Sequence, residues 1–364
     1  MIAIYEETVI NAIRKTLTAT AVVGAVLAGS AACSTVEQLS AGKKLDRAFE
    51  ELGKKKTLSF QLDLDTDVRS LKALDAQSDP APGEEMPDEA AKLISGARIA
   101  VTVQSRKPID ESGEKDLVGV AMKISNSDGG LAEYRVIGDY AYMRVDMATM
   151  GKVAGAPVPA ASDLPPEAGA VKSLIAGKWV KFSTKEMEKA TTGGRKNSRP
   201  APAPSLDAGT QKKLAAAVRE VVAREVRFRT ADGSGGTEHV TATAPFRTLI
   251  TKLFGRIRPL VKDLPPGMEL PTDKDLKSAP ATDVKADFTL KDGELHKVHV
   301  GLAELAENTK VKKLGLTLRV GHGTGPTVPA GATKLDLTEL MRGFFAGPGA
   351  SDADALDYQD LPRD

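Results

Sequence analysis

Leu58-Ser59-Phe60-Gln61-Leu62-Asp63-Leu64 places an apolar residue at every second position and a polar or charged one between. Side chains alternate across a strand, so this stretch predicts a β-strand with one face buried and one wet. Such strands belong to antiparallel sheets, because parallel strands are covered on both faces and read as unbroken apolar runs.

The same period recurs along the chain. It is present at Ile99, Val101 and Val103, and at Val118, Val120, Met122 and Ile124. Tyr134 and Val136 lead into a Gly138-Asp139 turn, and Tyr140 and Tyr142 begin the return. Trp179–Phe182 is a further short strand, followed by Ser183 and Glu186 at capping-box spacing. Val226, Phe228 and Thr230 reach an Asp232-Gly233 turn before His239–Thr243. Val284, Ala286, Phe288 and Leu290 turn at Asp292-Gly293 into Val298, Val300 and Leu302. Leu314–Val320 and Leu335–Leu337 complete the set.

Helical spacing marks four segments. Leu45, Phe49 and Leu52 form the first, within Val36–Lys56, and Ser183 opens the second. Leu214, Val218, Val221 and Val222 mark the third. Phe246, Leu249, Leu253 and Ile257 mark the last, which ends near Pro259. About ten one-faced strands with so few helices read as α+β, with the helices as cover for the apolar face. Asp75–Ala90, Gly151–Ala170 and Thr191–Ser205 read as loops. The tail from Gly347, with five Asp in 18 residues, reads as disordered.

The N-terminus reads as an export signal. Arg14 and Lys15 precede a 17-residue uncharged run, Thr16–Ala32, which ends Ser30-Ala31-Ala32-Cys33. The run is short for a spanning helix, and small residues before the cysteine suit cleavage. The tripeptide resembles a bacterial lipobox, with Ser30 where Leu is usual. Cys33 is the chain's one cysteine, so no internal disulfide is available. The expected mature protein starts at a lipid-modified Cys33. Residues 33–43 form its tether, 44–345 a single domain and 346–364 the tail, with residues 1–32 removed.

Composition removes other functions. Lys plus Arg number 50 against 49 Asp plus Glu, which lacks the basic excess of a nucleic-acid binder. His296 and His299, three apart on one strand, are expected on opposite faces, poor geometry for a shared metal. Asp63, Asp65 and Asp67 lack the glycine-turned loop of a calcium site. Ser40–Lys43 and Ser112–Lys115 match S-x-x-K, but no K-T-G or S-D-N accompanies them. Gly321-His322-Gly323-Thr324-Gly325 precedes no helix and reads as a hairpin loop. No catalytic constellation and no cofactor are expected.

In order, these features resemble the LppX/LprG family of actinobacterial lipoproteins. A lipobox cysteine and tether precede a helix at Lys44–Leu52, which runs into the strand Leu58–Leu64. The hairpin around Gly138–Tyr142, the segment Gly177–Phe182 and the closing meander through Lys291–Leu295 follow. The resemblance covers most of residues 44–340, and the three long loops depart from it. It implies a strongly curved antiparallel half-barrel with helices on its concave side, and an apolar cavity for acyl chains of envelope lipids or lipoglycans. The expected lipid-binding residues are then Phe60, Leu62, Leu64, Val101, Val103 and Phe288 from the sheet, and Phe246, Leu249, Leu253 and Ile257 from a helix. The implied partners are the membrane through Cys33, an acylated ligand and an envelope transporter. The alternative is a surface-tethered protein-interaction module whose apolar faces are filled core.

Overall fold

The computed structural model describes residues 36–81, 83–154, 158–164, 168–186, 208–260, 270–306 and 309–335. Cys33, the signal, the acidic tail and the loop Thr191–Ser205 lie outside them. The first helix, α1 (Val36–Gly53), runs directly into β1 (Thr57–Thr66). Two helices, α2 (Val68–Gln77) and α3 (Asp88–Ile94), precede the meander β2 (Arg98–Ser105), β3 (Leu117–Ser125), β4 (Gly130–Ile137) and β5 (Tyr140–Val145). Helices α4 (Met147–Ala154) and α5 (Gly169–Ile175) lead to β6 (Val180–Ser183). The second half begins with α6 (Ala208–Glu225), β7 (Arg227–Asp232) and β8 (Thr237–Pro245). Then come α7 (Phe246–Ile257), α8 (Asp273–Ser278), β9 (Asp283–Lys291), β10 (Glu294–Gly301), β11 (Leu314–Gly321) and β12 (Thr333–Lys334).

The class is α+β. Among the described residues, twelve strands join one sheet in the order β12-β6-β5-β4-β3-β2-β1-β11-β10-β9-β8-β7. Every pairing is antiparallel except the short parallel contact of β12 with β6. The sheet is open, with β12 and β7 at its edges, as a half-barrel requires. Near its middle β1 pairs with β11, so the first strand of one half meets a late strand of the other.

Several expectations change. The first helix starts at Val36, and Ala41 is fully buried, so the folded domain begins inside the expected tether. Helices α2 to α5 occupy or border stretches expected as loops. Asp67 accounts for α2: its carboxylate accepts from the Ser70 N–H at 2.7 Å, an N-cap. Asp63 instead accepts from Arg319 Nε at 2.9 Å, so the aspartates of this run have separate partners. A β-bulge between Leu295 and Lys297 takes in His296, and the simple alternation assumed for His296 and His299 fails there. His299 Nδ1 lies 2.9 Å from Thr317 Oγ1.

Gly321–Gly325 is not a hairpin loop. It opens a strap that leaves β11, crosses the polar face of β1 to β4 and ends in β12 beside β6. Its glycines are needed for close approach. A Cβ at Gly323 would stand 2.2 Å from Ser59 Oγ, and one at Gly325 1.9 Å from Gln104 Oε1. The strap is held further along by Arg135, whose Nη1 donates to the Thr327 carbonyl at 2.6 Å.

That arginine belongs to a stack on β4 and β5. Glu133, 9% exposed, accepts from Arg135 Nε and Arg144 Nη2, each at 2.9 Å. Both guanidiniums also lie over the Trp179 ring, 4.8 and 5.1 Å from its centroid. Burial raises the Glu133 carboxyl, but the two arginines more than offset it and hold it below its ordinary value. A depressed acid stabilises the fold at neutral pH, and that contribution is lost as pH falls through the folded value. Glu133→Gln is therefore expected to destabilise by about 1.5–3 kcal/mol at pH 7, the range for hydrogen bonds to charged groups. Urea unfolding at pH 7 and again near pH 3 checks it: the difference from wild type should shrink in acid.

Candidate functional site

Directly paired residues of an antiparallel ladder share a face, so the register maps each face of the sheet. One row starts with Val145 and passes through Ala132, Ile124 and Ile99 to Leu62. It continues through Leu318, Val298 and Phe288 to Val240. Every position in it is apolar. A parallel row runs from Met143 through Tyr134, Met122 and Val101 to Phe60 and Val320. The sheet thus has one continuous apolar face across both halves of the chain.

Protein covers this face unevenly. Over β7 to β11, α1 lies on it: Leu45, Ala48 and Leu52 form one core with Leu58, Phe228, Val240, Leu290 and Val320. Near β5 and β6, Ala170 and Leu174 of α5 pack on Ala141, Val180 and Phe182. Between these covers the face opens. Leu62 is 37% exposed and Ile99 40%, while Val101, Met122 and Ile124 are half-buried. On the opposite, polar face Asp63 is 7% exposed and pairs with Arg98 and Arg319, both of which are exposed.

The six sheet residues expected to bind lipid all lie on the apolar face. Their surroundings differ. Val103 is 3% exposed in ordinary core, Phe60, Leu64, Val101 and Phe288 are half-buried, and Leu62 is open. The four α7 residues form one stripe, and each is half-buried. Helix α7 packs on α6, α8 and β8. Three strands, β9, β10 and β11, separate β8 from β1. At about 4.8 Å per strand, α7 sits roughly 19 Å along the sheet from Leu62, so Phe288 is its nearest expected sheet partner. Ile99, Leu318 and Val298 share Leu62's row, and alternation alone marks them as apolar; their adjacency to Leu62 comes only from the pairing.

Among the described residues, no helix is long and apolar enough to cross a membrane. Among the same residues, no three or more metal-ligating side chains of His, Cys, Asp or Glu gather.

No family model matches the chain, and no curated protein matches it. Among solved structures it is similar to the lipoprotein LppX of Mycobacterium tuberculosis, at 10% identity over 80% of this chain and 98% of that one, with a TM-score of 0.30. It is likewise similar to LprF from Mycobacterium bovis, at 9% identity over 81% of this chain and 98% of that one, with a TM-score of 0.30.

Proposed function

We propose that the mature chain is a lipid-anchored envelope protein that binds acyl chains on the open part of its apolar sheet face and carries them at the outer face of the plasma membrane. The observation that supports this most directly is the exposure of directly paired apolar side chains near the middle of the sheet, Leu62 and Ile99. Each large apolar side chain left in water forgoes up to about 1.5–3 kcal/mol of burial, so a contiguous open set marks a place where something apolar binds. An acyl chain suits it, because apolar contact is non-directional and needs no catalytic group. The polar head would stay near the mouth, since burying it unpaired costs several kcal/mol. Cys33 would supply the anchor, with two or more acyl chains giving stable attachment, and an envelope transporter is the natural donor or acceptor.

Two measurements test the reading. Mass spectrometry of protein purified without detergent is expected to find acylated lipid bound at near-stoichiometric level; a lipid-free protein with a stable, unchanged fold favours a protein-interaction module. Cys33→Ser is expected to abolish processing and membrane retention. A processed variant that still sediments with membranes would refute the anchor.

A further inference from the structure

The register also maps the polar face of the second half. Arg227 and Arg229 on β7, Lys285 and Lys291 on β9 and Lys297 on β10 share that face. All but the half-buried Lys297 are exposed. None of the five is ion-paired among the described residues. Other cations of the polar face are: Arg98 and Arg319 pair with Asp63, and Arg135 and Arg144 with Glu133. The acids on this side of β7 to β10 are Asp283, Asp287 and Glu294, and Glu294 is already bonded to Lys55 and His322. The chain enters at the same edge of the sheet. Lys44, in the middle of α1, pairs with Glu238 on β8, and Lys55, just past the helix, with Glu294 on β10. Helix α1 therefore runs inward from the β7 edge, and Val36 lies about 12 Å further out than Lys44 at 1.5 Å per residue. Cys33 is three residues before Val36, so an anchored Cys33 holds Val36 within about 10 Å of the bilayer surface.

We propose that this cationic sector of the polar face docks on anionic headgroups of the bilayer that holds Cys33, a placement that rests on the anchored reading above. Charge complementarity selects the partner. Exposed Lys and Arg without a carboxylate partner are free to meet phosphate oxygens, and an anionic bilayer presents a plane of them. Each cation close to such a surface strengthens binding roughly fivefold, and the effect falls off within a Debye length. A bilayer is favoured over an acidic protein because the anchor already brings it to this edge. The open apolar face lies on the other side of the sheet, so docking in this way turns Leu62 and Ile99 away from the bilayer.

The test uses the mature chain carrying Cys33→Ser, produced without residues 1–32 so that no acyl anchor contributes. It is sedimented with vesicles of phosphatidylcholine alone, or of phosphatidylcholine with about 30% phosphatidylglycerol. At about 0.05 M salt the anionic vesicles should bind it roughly tenfold or more tightly than the neutral ones, and at about 0.5 M salt the difference should vanish. Arg229→Gln, Lys285→Gln and Lys291→Gln together should remove most of that preference, at roughly fivefold per cation. All three side chains are exposed, so melting should match that of the parent chain. Lys178→Gln, Lys185→Gln and Lys334→Gln together remove the same charge around β6, at the far end of the sheet, and should leave the preference intact. Equal loss in both triple variants reports net charge and overturns the docking face. Lack of preference for anionic vesicles at low salt overturns it too, and leaves an acidic protein as the partner this face would fit. Binding that is equal on neutral vesicles and unweakened by salt comes from the apolar face and likewise overturns it. None of these outcomes touches the anchor, which the processing of Cys33→Ser decides separately.

Discussion

Residues 36–186 expressed without residues 208–335, and the reverse, should each come out aggregated or without a cooperative unfolding transition. The reason lies in the seam. β1 pairs with β11 along Ser59–Thr66, and the contacts across it include Phe60 with Val320, Leu62 with Leu318 and Leu64 with Leu316. Helix α1 belongs to the first half, yet it packs on β7 and β10 of the second. Its Leu45, Ala48 and Leu52 have their core partners in Phe228, Val240, Leu290 and Leu295. Cutting the chain strips α1 of that cover. It also turns the central strands β1 and β11 into edges with unpaired backbone, the arrangement most prone to association between chains. The expected remedy is co-expression: two halves made together should recover the sheet. Urea titration followed by circular dichroism, with sedimentation of each half, decides the matter. Two soluble halves, each unfolding cooperatively alone, would show that residues 44–345 are not one domain.

Alternation was legible because each strand has a single apolar face, and Leu58–Leu64 or Val284–Leu290 can be read without knowing their neighbours. Strand order was not, since alternation names a face and not a partner; nothing in Leu314–Val320 says that it lies beside Leu58–Leu64 rather than at an edge. The short helices were hidden for another reason. α3 and α5 span seven residues each, too few to show a stripe, and the proline- and glycine-rich segments around them read as loops. The N-cap of α2 was in view as Asp67 three residues before Ser70, but it was masked by two aspartates at the same spacing on β1. Glycine in Gly321–Gly325 reports close backbone approach without saying to what, and here the neighbours are Ser59 and Gln104, more than 200 positions away in sequence. The site divides in the same way. Leu62 and Val103 look alike in the sequence, and only the placement of the covering helices makes one open and the other core.

That contrast yields the sharpest test of the open face. Ile99 and Val103 stand on the same strand and the same face, yet Ile99 is 40% exposed and Val103 3%. Trp at a filled position must displace its neighbours, which typically costs about 1–3 kcal/mol. Trp at an open wall meets little resistance, but its ring occupies the volume an acyl chain would use. Val103→Trp should therefore lower the melting temperature by several degrees, taking about 2–4 °C per kcal/mol for a domain of this size. Ile99→Trp should leave the melting temperature within about 2 °C of wild type on the same conversion while reducing bound lipid roughly tenfold. Leu62→Trp, paired directly with Ile99, should behave as Ile99→Trp does. Leu249→Trp and Leu253→Trp extend the comparison to α7, where half-burial places the expected result between the two. Detergent-free purification, mass spectrometry of the bound fraction and thermal melting on one preparation give both readouts. Should Ile99→Trp destabilise as much as Val103→Trp, the central face is core. Should it carry a full lipid load at unchanged stability, the acyl chain binds elsewhere.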